Sequence, residues 1–132
     1  MKNLVVDTNV IIAALLTKNE TSPTRELLRL VAADKLQLLY NNGILTEYEE
    51  VLKRKKFSFD SDIIESVLKL IRKHGKLSYS KHCDELFIDE KDRIFYEVAL
   101  FANVKLITGN KKHFPEKEFI LSPREYIELL KG

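Results

Sequence analysis

The sequence predicts an α/β fold, a three-layer α/β/α sandwich around a mostly parallel sheet of about four to five strands. Three observations carry that prediction. Short apolar runs alternate with amphipathic stretches along the whole chain, the pattern of strands separated by helices. The first run, Leu4-Val5-Val6, is apolar at consecutive positions, as in a strand buried on both faces. Glycine and proline are scarce, 4 and 3 in 132 residues, and each falls at an element boundary. The length suits a single domain, residues 1–132.

Leu4 to Val6 is the first strand, and Val10 to Leu16 reads as a buried helix. Ser22-Pro23 supplies an N-cap and a proline at the first helical position. That helix carries Leu27, Leu28, Leu30 and Val31 on one face. Gln37 to Tyr40 is the second strand, Asn41-Asn42-Gly43 a turn, and a helix follows from about Ile44 to Lys53. Asp60 or Ser61 caps the next helix, with Ile63, Ile64, Val67, Leu68 and Ile71 facing inward and Gly75 as its stop. Leu77 to Tyr79 reads as a short strand, Asp92 to Phe101 as an amphipathic helix, and Lys105 to Thr108 and Phe119 to Leu121 as further strands. Ser122-Pro123-Arg124-Glu125 matches a capping box before a last helix bearing Tyr126, Ile127, Leu129 and Leu130.

Composition narrows the function. The longest apolar stretch, Val10 to Leu16, is far short of the ~20 residues of a membrane span, so no membrane partner is expected. Met1-Lys2-Asn3 runs into the first strand without a signal-peptide pattern. One cysteine, Cys83, excludes an internal disulfide and a Cys-rich zinc site, and these features together lead us to expect a cytoplasmic protein. A net charge of +2 does not announce nucleic-acid binding, so any basic patch must be local.

In open parallel sheets ligands bind beyond the carboxyl ends of the strands, so the polar residues just after each apolar run carry the information. Asp7-Thr8-Asn9 follows the first strand, Thr108-Gly109-Asn110 follows the fourth, Asp92 opens a helix after Asp89 and Glu90, and Glu47 lies early in the helix after the second strand. Carboxylates brought together at one sheet end repel one another and are costly to bury without a neutralising group. A hard divalent cation, Mg²⁺ or Mn²⁺, meets that need with oxygen ligands, and the matching chemistry is hydrolysis of a phosphodiester by an activated water. No G-x-S-x-G elbow supports a serine nucleophile, and nothing around Cys83 marks a reactive thiol.

These residues resemble a known family. Val5-Val6-Asp7-Thr8-Asn9-Val10-Ile11-Ile12 is similar to the opening of PIN-domain proteins. The likeness continues in order through Ser22-Pro23, Leu45-Thr46-Glu47-Tyr48-Glu49-Glu50-Val51-Leu52, Lys55-Lys56-Phe57, Asp89-Glu90-Lys91-Asp92-Arg93-Ile94-Phe95, Leu106-Ile107-Thr108-Gly109-Asn110 and Leu121-Ser122-Pro123-Arg124-Glu125-Tyr126. Each piece is weak alone, and the ordered set is specific. It looks like the subgroup of toxins from toxin–antitoxin pairs, the VapC-type ribonucleases.

The resemblance implies a Mg²⁺/Mn²⁺-dependent endoribonuclease whose three acids map onto Asp7, Glu47 and Asp92, with Thr8, Asn9 and Thr108 orienting them. It also implies an RNA substrate, a small antitoxin protein as partner and a homodimer. Where the family often has a fourth acid, this chain has Asn110, a neutral ligand that would hold a second metal more weakly, and Asp89 can replace the lost charge. That departure motivates a second reading, a catalytically degenerate PIN domain acting as an RNA- or protein-binding module.

Two lesser readings stand beside these. Glu50 is the rival to Glu47, Asp89 equally suits a helix cap, and Asn110 a turn. Lys53-Arg54-Lys55-Lys56 and Lys111-Lys112-His113 are the candidates for RNA phosphates, and His113 is also a candidate general acid. An aromatic beside the first run can stack on a splayed base, but Phe57 and Phe59 are expected to face the core. An aspartyl-phosphate enzyme also places an Asp after a strand, but the position two residues on is Asn9.

Overall fold

A computed structural model describes residues 2–132. Its elements in chain order are β1 (Lys2–Val6), α1 (Thr8–Leu16), α2 (Pro23–Ala32), β2 (Leu36–Tyr40), α3 (Asn42–Leu52), α4 (Ser61–His74), β3 (Lys76–Leu77), α5 (Arg93–Ala102), β4 (Lys105–Ile107), β5 (Ile120–Leu121) and α6 (Pro123–Lys131). Three short 3-10 turns, Lys55–Phe57, Glu90–Asp92 and Lys111–His113, lie in the connections. The five strands form one sheet of order β3-β2-β1-β4-β5, and every pairing is parallel. The α/β sandwich read from the sequence is the fold observed.

Consecutive strand residues point to opposite faces, so adjacent buried positions mean that both faces are covered. Leu4, Val5 and Val6 are 0–2% exposed in sequence, and Leu38, Leu39, Leu106 and Ile107 are buried likewise. Helix α2 packs on α1 and α6, while α3 packs on α4 and α5. Tyr48, Phe95 and Tyr96 are the largest side chains in the core. The Tyr48 hydroxyl donates to the Val6 carbonyl at 2.5 Å, which satisfies a buried phenol and pins α3 to the end of β1.

The strand order reverses at β1. Connections leave β1 toward β2 and β3 on one side, and the chain then crosses to β4 and β5 on the other. A crevice opens at such a switch point, outside the carboxyl ends of the two central strands. The register Val6↔Ile107 sets Asp7 beside Thr108 there, and the Asp7 amide donates to the Ile107 carbonyl at 2.9 Å.

Several local expectations are corrected. Asn41-Asn42-Gly43 is not a separate turn: Asn41 is the N-cap of α3, its side chain accepting from the Ile44 amide at 2.9 Å, and the helix starts at Asn42. β3 begins one residue earlier than predicted, and Tyr79 lies outside it in solvent. Ile63 and Leu129 are 42% and 51% exposed, because each lies beyond the edge of its helix's buried stripe. Asp60 rather than Ser61 occupies the N-cap of α4.

Gly75 ends α4 for a reason other than the expected left-handed cap. Its φ of −101° is open to any residue. A Cβ there would stand 2.4 Å from the Ile71 carbonyl oxygen and 2.7 Å from that of Leu38, both backbone atoms. Gly75→Ala is expected to destabilise the fold by about 1–3 kcal/mol, the cost of overpacking, read as a lowered midpoint in urea unfolding.

Candidate active site

Asp7 is the last residue before α1 and the first after β1, placed by the sheet rather than by a flexible loop. It is 7% exposed, and its Oδ2 accepts from the Thr108 hydroxyl at 2.8 Å. That hydroxyl in turn accepts from the Asn110 amide at 3.0 Å. The Asn9 side chain accepts from the Gly109 amide at 3.0 Å, so the β1–α1 and β4 loops are tied together twice. The Thr8 hydroxyl is buried and, among the described residues, has no hydrogen-bond partner, while the Thr8 backbone donates a hydrogen bond to the Asp7 carboxylate.

Glu47 is half-buried in α3, beside the fully buried Tyr48, whereas its rival Glu50 is exposed. Asp92 caps α5 at the end of the 3-10 turn, with its side chain 14% exposed. Its Oδ2 is buried without a hydrogen-bond partner among the described residues, and the His113 imidazole approaches it only to 3.6 Å. Asp89 acts as a cap, its Oδ1 accepting from the Lys91 amide at 3.0 Å, and it also reaches the cavity.

Asp7, Glu47, Asp89, Asp92 and Asn110 line one cavity of about 280 Å³, floored by Ile12, Val51 and Phe95 and edged by Arg54, Phe57, Lys91 and His113. Two larger cavities lie elsewhere, one of about 930 Å³ between α2 and α6, the other of about 610 Å³ beside β5. Neither collects acids at the sheet's switch point: Glu26 and Glu128 line the first and Glu116 and Glu118 the second, among basic side chains, so size does not mark the site here.

The electrostatics point the same way. Burial pushes the Asp7 carboxyl above its usual range, Glu47 adds repulsion, and the Thr108 hydrogen bond offsets part of the shift. Asp92 is pushed up to about 6, first by burial and then by repulsion from Asp7 and Asp89, with His113 pulling the other way. Carboxylates that raise one another in this way need a cation or a proton to coexist.

The donor set is all oxygen, which suits Mg²⁺ or Mn²⁺ rather than zinc. Among the described residues, no three His, Cys, Asp or Glu side chains stand close enough to enclose an ion by themselves. An open cavity with an unpartnered Asp92 oxygen suits a hard ion that keeps several waters. On these observations the residues fit such a cation.

A family model described as a PIN domain matches residues 3–112. The chain belongs to the PIN-domain family. A comparison with curated proteins finds no significant match. PIN domains have a nuclease-type fold and are generally nucleases that use divalent metal ions. The match takes in Asp7, Glu47, Asp92 and Asn110, and stops before β5 and α6.

Of the six basic candidates in this PIN domain, Arg54 reaches the cavity. Lys53 pairs with Glu49 at 3.1 Å, Lys55 and Lys56 are exposed in the 3-10 turn, Lys111 pairs with Glu125 at 3.0 Å, and Lys112 lines the cavity beside β5. His113, in the second basic run, also reaches the cavity, and so does Lys91, a cation that sequence reasoning left out because it sits in a short turn with no periodicity to orient it.

The segment before Asp89, residues 78–87, has no regular structure and is held by Arg93. The Arg93 guanidinium donates to the Cys83 and Glu85 carbonyls at 2.5 and 2.6 Å and to both Glu90 oxygens at 2.7 and 3.0 Å, and lies 4.7 Å from the Phe87 ring centroid. Arg93→Lys is expected to raise amide exchange across residues 82–90 about tenfold or more while the β1 and β4 amides stay protected, because an ammonium cannot reproduce the planar fork.

Proposed function

We propose that this PIN domain is a divalent-cation-dependent endoribonuclease. The observation that carries the reading is the convergence of Asp7, Glu47 and Asp92 on one cavity at the sheet's switch point, with an Asp92 oxygen buried and unpartnered. Those three acids would hold Mg²⁺ or Mn²⁺, with Asn110 or Asp89 beside them. When bound, the cation supplies Lewis acidity toward the phosphodiester and toward an attacking water.

The protein groups do the positioning. Thr108 fixes the Asp7 carboxylate, and Tyr48 fixes the strand end that bears it. Arg54, Lys91 and His113 at the rim attract the phosphate that the acids alone would repel. Water oxygen bonds to phosphorus, the P–O3′ bond breaks, and the 3′ oxygen leaves with a proton, so one product carries a 5′-phosphate.

A circular RNA tests the endonuclease assignment, since it offers no ends. Linear products formed with Mn²⁺ and absent with EDTA are expected. A circle that stays intact alongside tight, cation-independent RNA binding would favour the degenerate binding module, the reading motivated by Asn110.

The motif order also supports a toxin role, with a small antitoxin protein as partner and a homodimer as the working form. Growth arrest on expression, relieved by Asp7→Asn, is the expected sign of the toxin. Twice the monomer mass in analytical ultracentrifugation is the expected sign of the dimer.

A further inference from the structure

Phe57 and Phe59 pack against the core as expected, yet Phe57 stays half-buried with part of its ring open. It closes the 3-10 turn after α3 and lines the same cavity as Asp7, Glu47 and Asp92. The other aromatic ring in that cavity, Phe95, is 1% exposed, whereas Phe57 is only half-buried. Its ring is backed by Phe59 at a centroid distance of 5.7 Å and an interplanar angle of 17°, a stack already two rings deep. The Lys56 ammonium sits 5.1 Å from the Phe57 centroid, a flexible cation that a flat ligand can displace. The turn is rigid: the Phe57 amide donates to Arg54, and Ser58, in the left-handed region at φ 54°, ties both its amide and its hydroxyl to Lys55. Arg54, at the start of the turn, brings a guanidinium to the same rim.

A rigid aromatic face beside cations and a phosphodiester-cleaving cavity is the arrangement that captures an unstacked base. We propose that Phe57 is a nucleobase-stacking platform, so that the preferred RNA presents an unpaired nucleotide beside the scissile phosphate. The proposal rests on the nuclease reading for its account of cleavage, and its binding half can be measured without cleavage. Stacking made equally in the ground and transition states acts on KM rather than kcat.

The chain has no tryptophan, so Phe57→Trp introduces a single indole reporter. In the Asp7→Asn background, a hairpin RNA with an unpaired loop should quench that indole saturably. A fully paired duplex of the same composition should not. In cleavage assays of the otherwise unaltered chain, Phe57→Leu keeps apolar bulk without a π face and should raise KM roughly tenfold to a hundredfold. Its kcat should stay within a few-fold of the parent, and Phe57→Tyr should restore KM. Absence of quenching, equal quenching by the duplex, or a Phe57→Leu KM equal to that of Phe57→Tyr would overturn the platform. Saturable quenching in this background, together with no RNA cleavage by the chain that retains Asp7, would instead overturn the nuclease reading and leave the platform standing.

Discussion

Asp7→Asn is expected to abolish RNA cleavage, by about 10³-fold or more, and to leave the fold intact. The expected loss follows from removing the one carboxylate that the sheet itself positions, at the centre of the acids proposed to hold the cation. The fold survives because the amide is isosteric and its oxygen can still accept from Thr108. It also relieves a buried carboxylate that Glu47 repels. Unchanged circular dichroism and an equal or higher melting temperature check the second half, and single-turnover cleavage checks the first.

Asp92→Asn separates stability from cation binding. The folded-state pKa of Asp92, about 6, lies above its ordinary value of 3.8. A group raised in this way contributes stability that is fully present below the unfolded pKa and is lost as pH rises through the folded one. In EDTA the parent chain should therefore lose stability between about pH 4 and pH 6 relative to Asp92→Asn. Above that window the variant should be more stable by about 1 kcal/mol, reduced from the full shift because the carboxylate is partly solvated, or about 4 °C in melting temperature. Glu90 and Glu125 are lowered by Arg93 and by Ser122 and Lys111, and act in the opposite direction. Both chains carry them equally, so the difference isolates Asp92. Saturating Mn²⁺ is expected to reverse the ranking, stabilising the parent by about 2.7 kcal/mol at a hundred times Kd and the variant far less.

Much of the fold and part of the site can be read in the residues. Consecutive apolar strands such as Leu4-Val5-Val6 announce burial on both faces, and that alone demands helices above and below the sheet. Asp7 and Thr108 are legible because parallel strands end together, so residues just past Val6 and Ile107 become neighbours although 101 positions apart in sequence. Glu47 is legible from its place one residue before Tyr48 on an amphipathic helix.

What escapes the sequence depends on contacts between distant segments. Gly75 reads as a helix stop by conformation, yet its reason is the Leu38 carbonyl on a neighbouring strand. Lys91 lies in a 3-10 turn, where no period tells which side chain faces the cavity. The Arg93 clamp needs the path of residues 78–87, which have neither strand nor helix pattern. Lys53 and Lys111 look like phosphate ligands in a charge run; Glu49 lies four residues before Lys53 on the same helix, whereas only the fold shows Glu125 beside Lys111.

The measurement that tests the central claim most directly is end mapping. Purified chain is incubated with total cellular RNA and Mn²⁺, and new 5′-phosphate ends are sequenced beside Asp7→Asn and EDTA controls. Discrete ends that vanish in both controls are the predicted result. Ends that persist undiminished in Asp7→Asn, or no ends above either control, would contradict it.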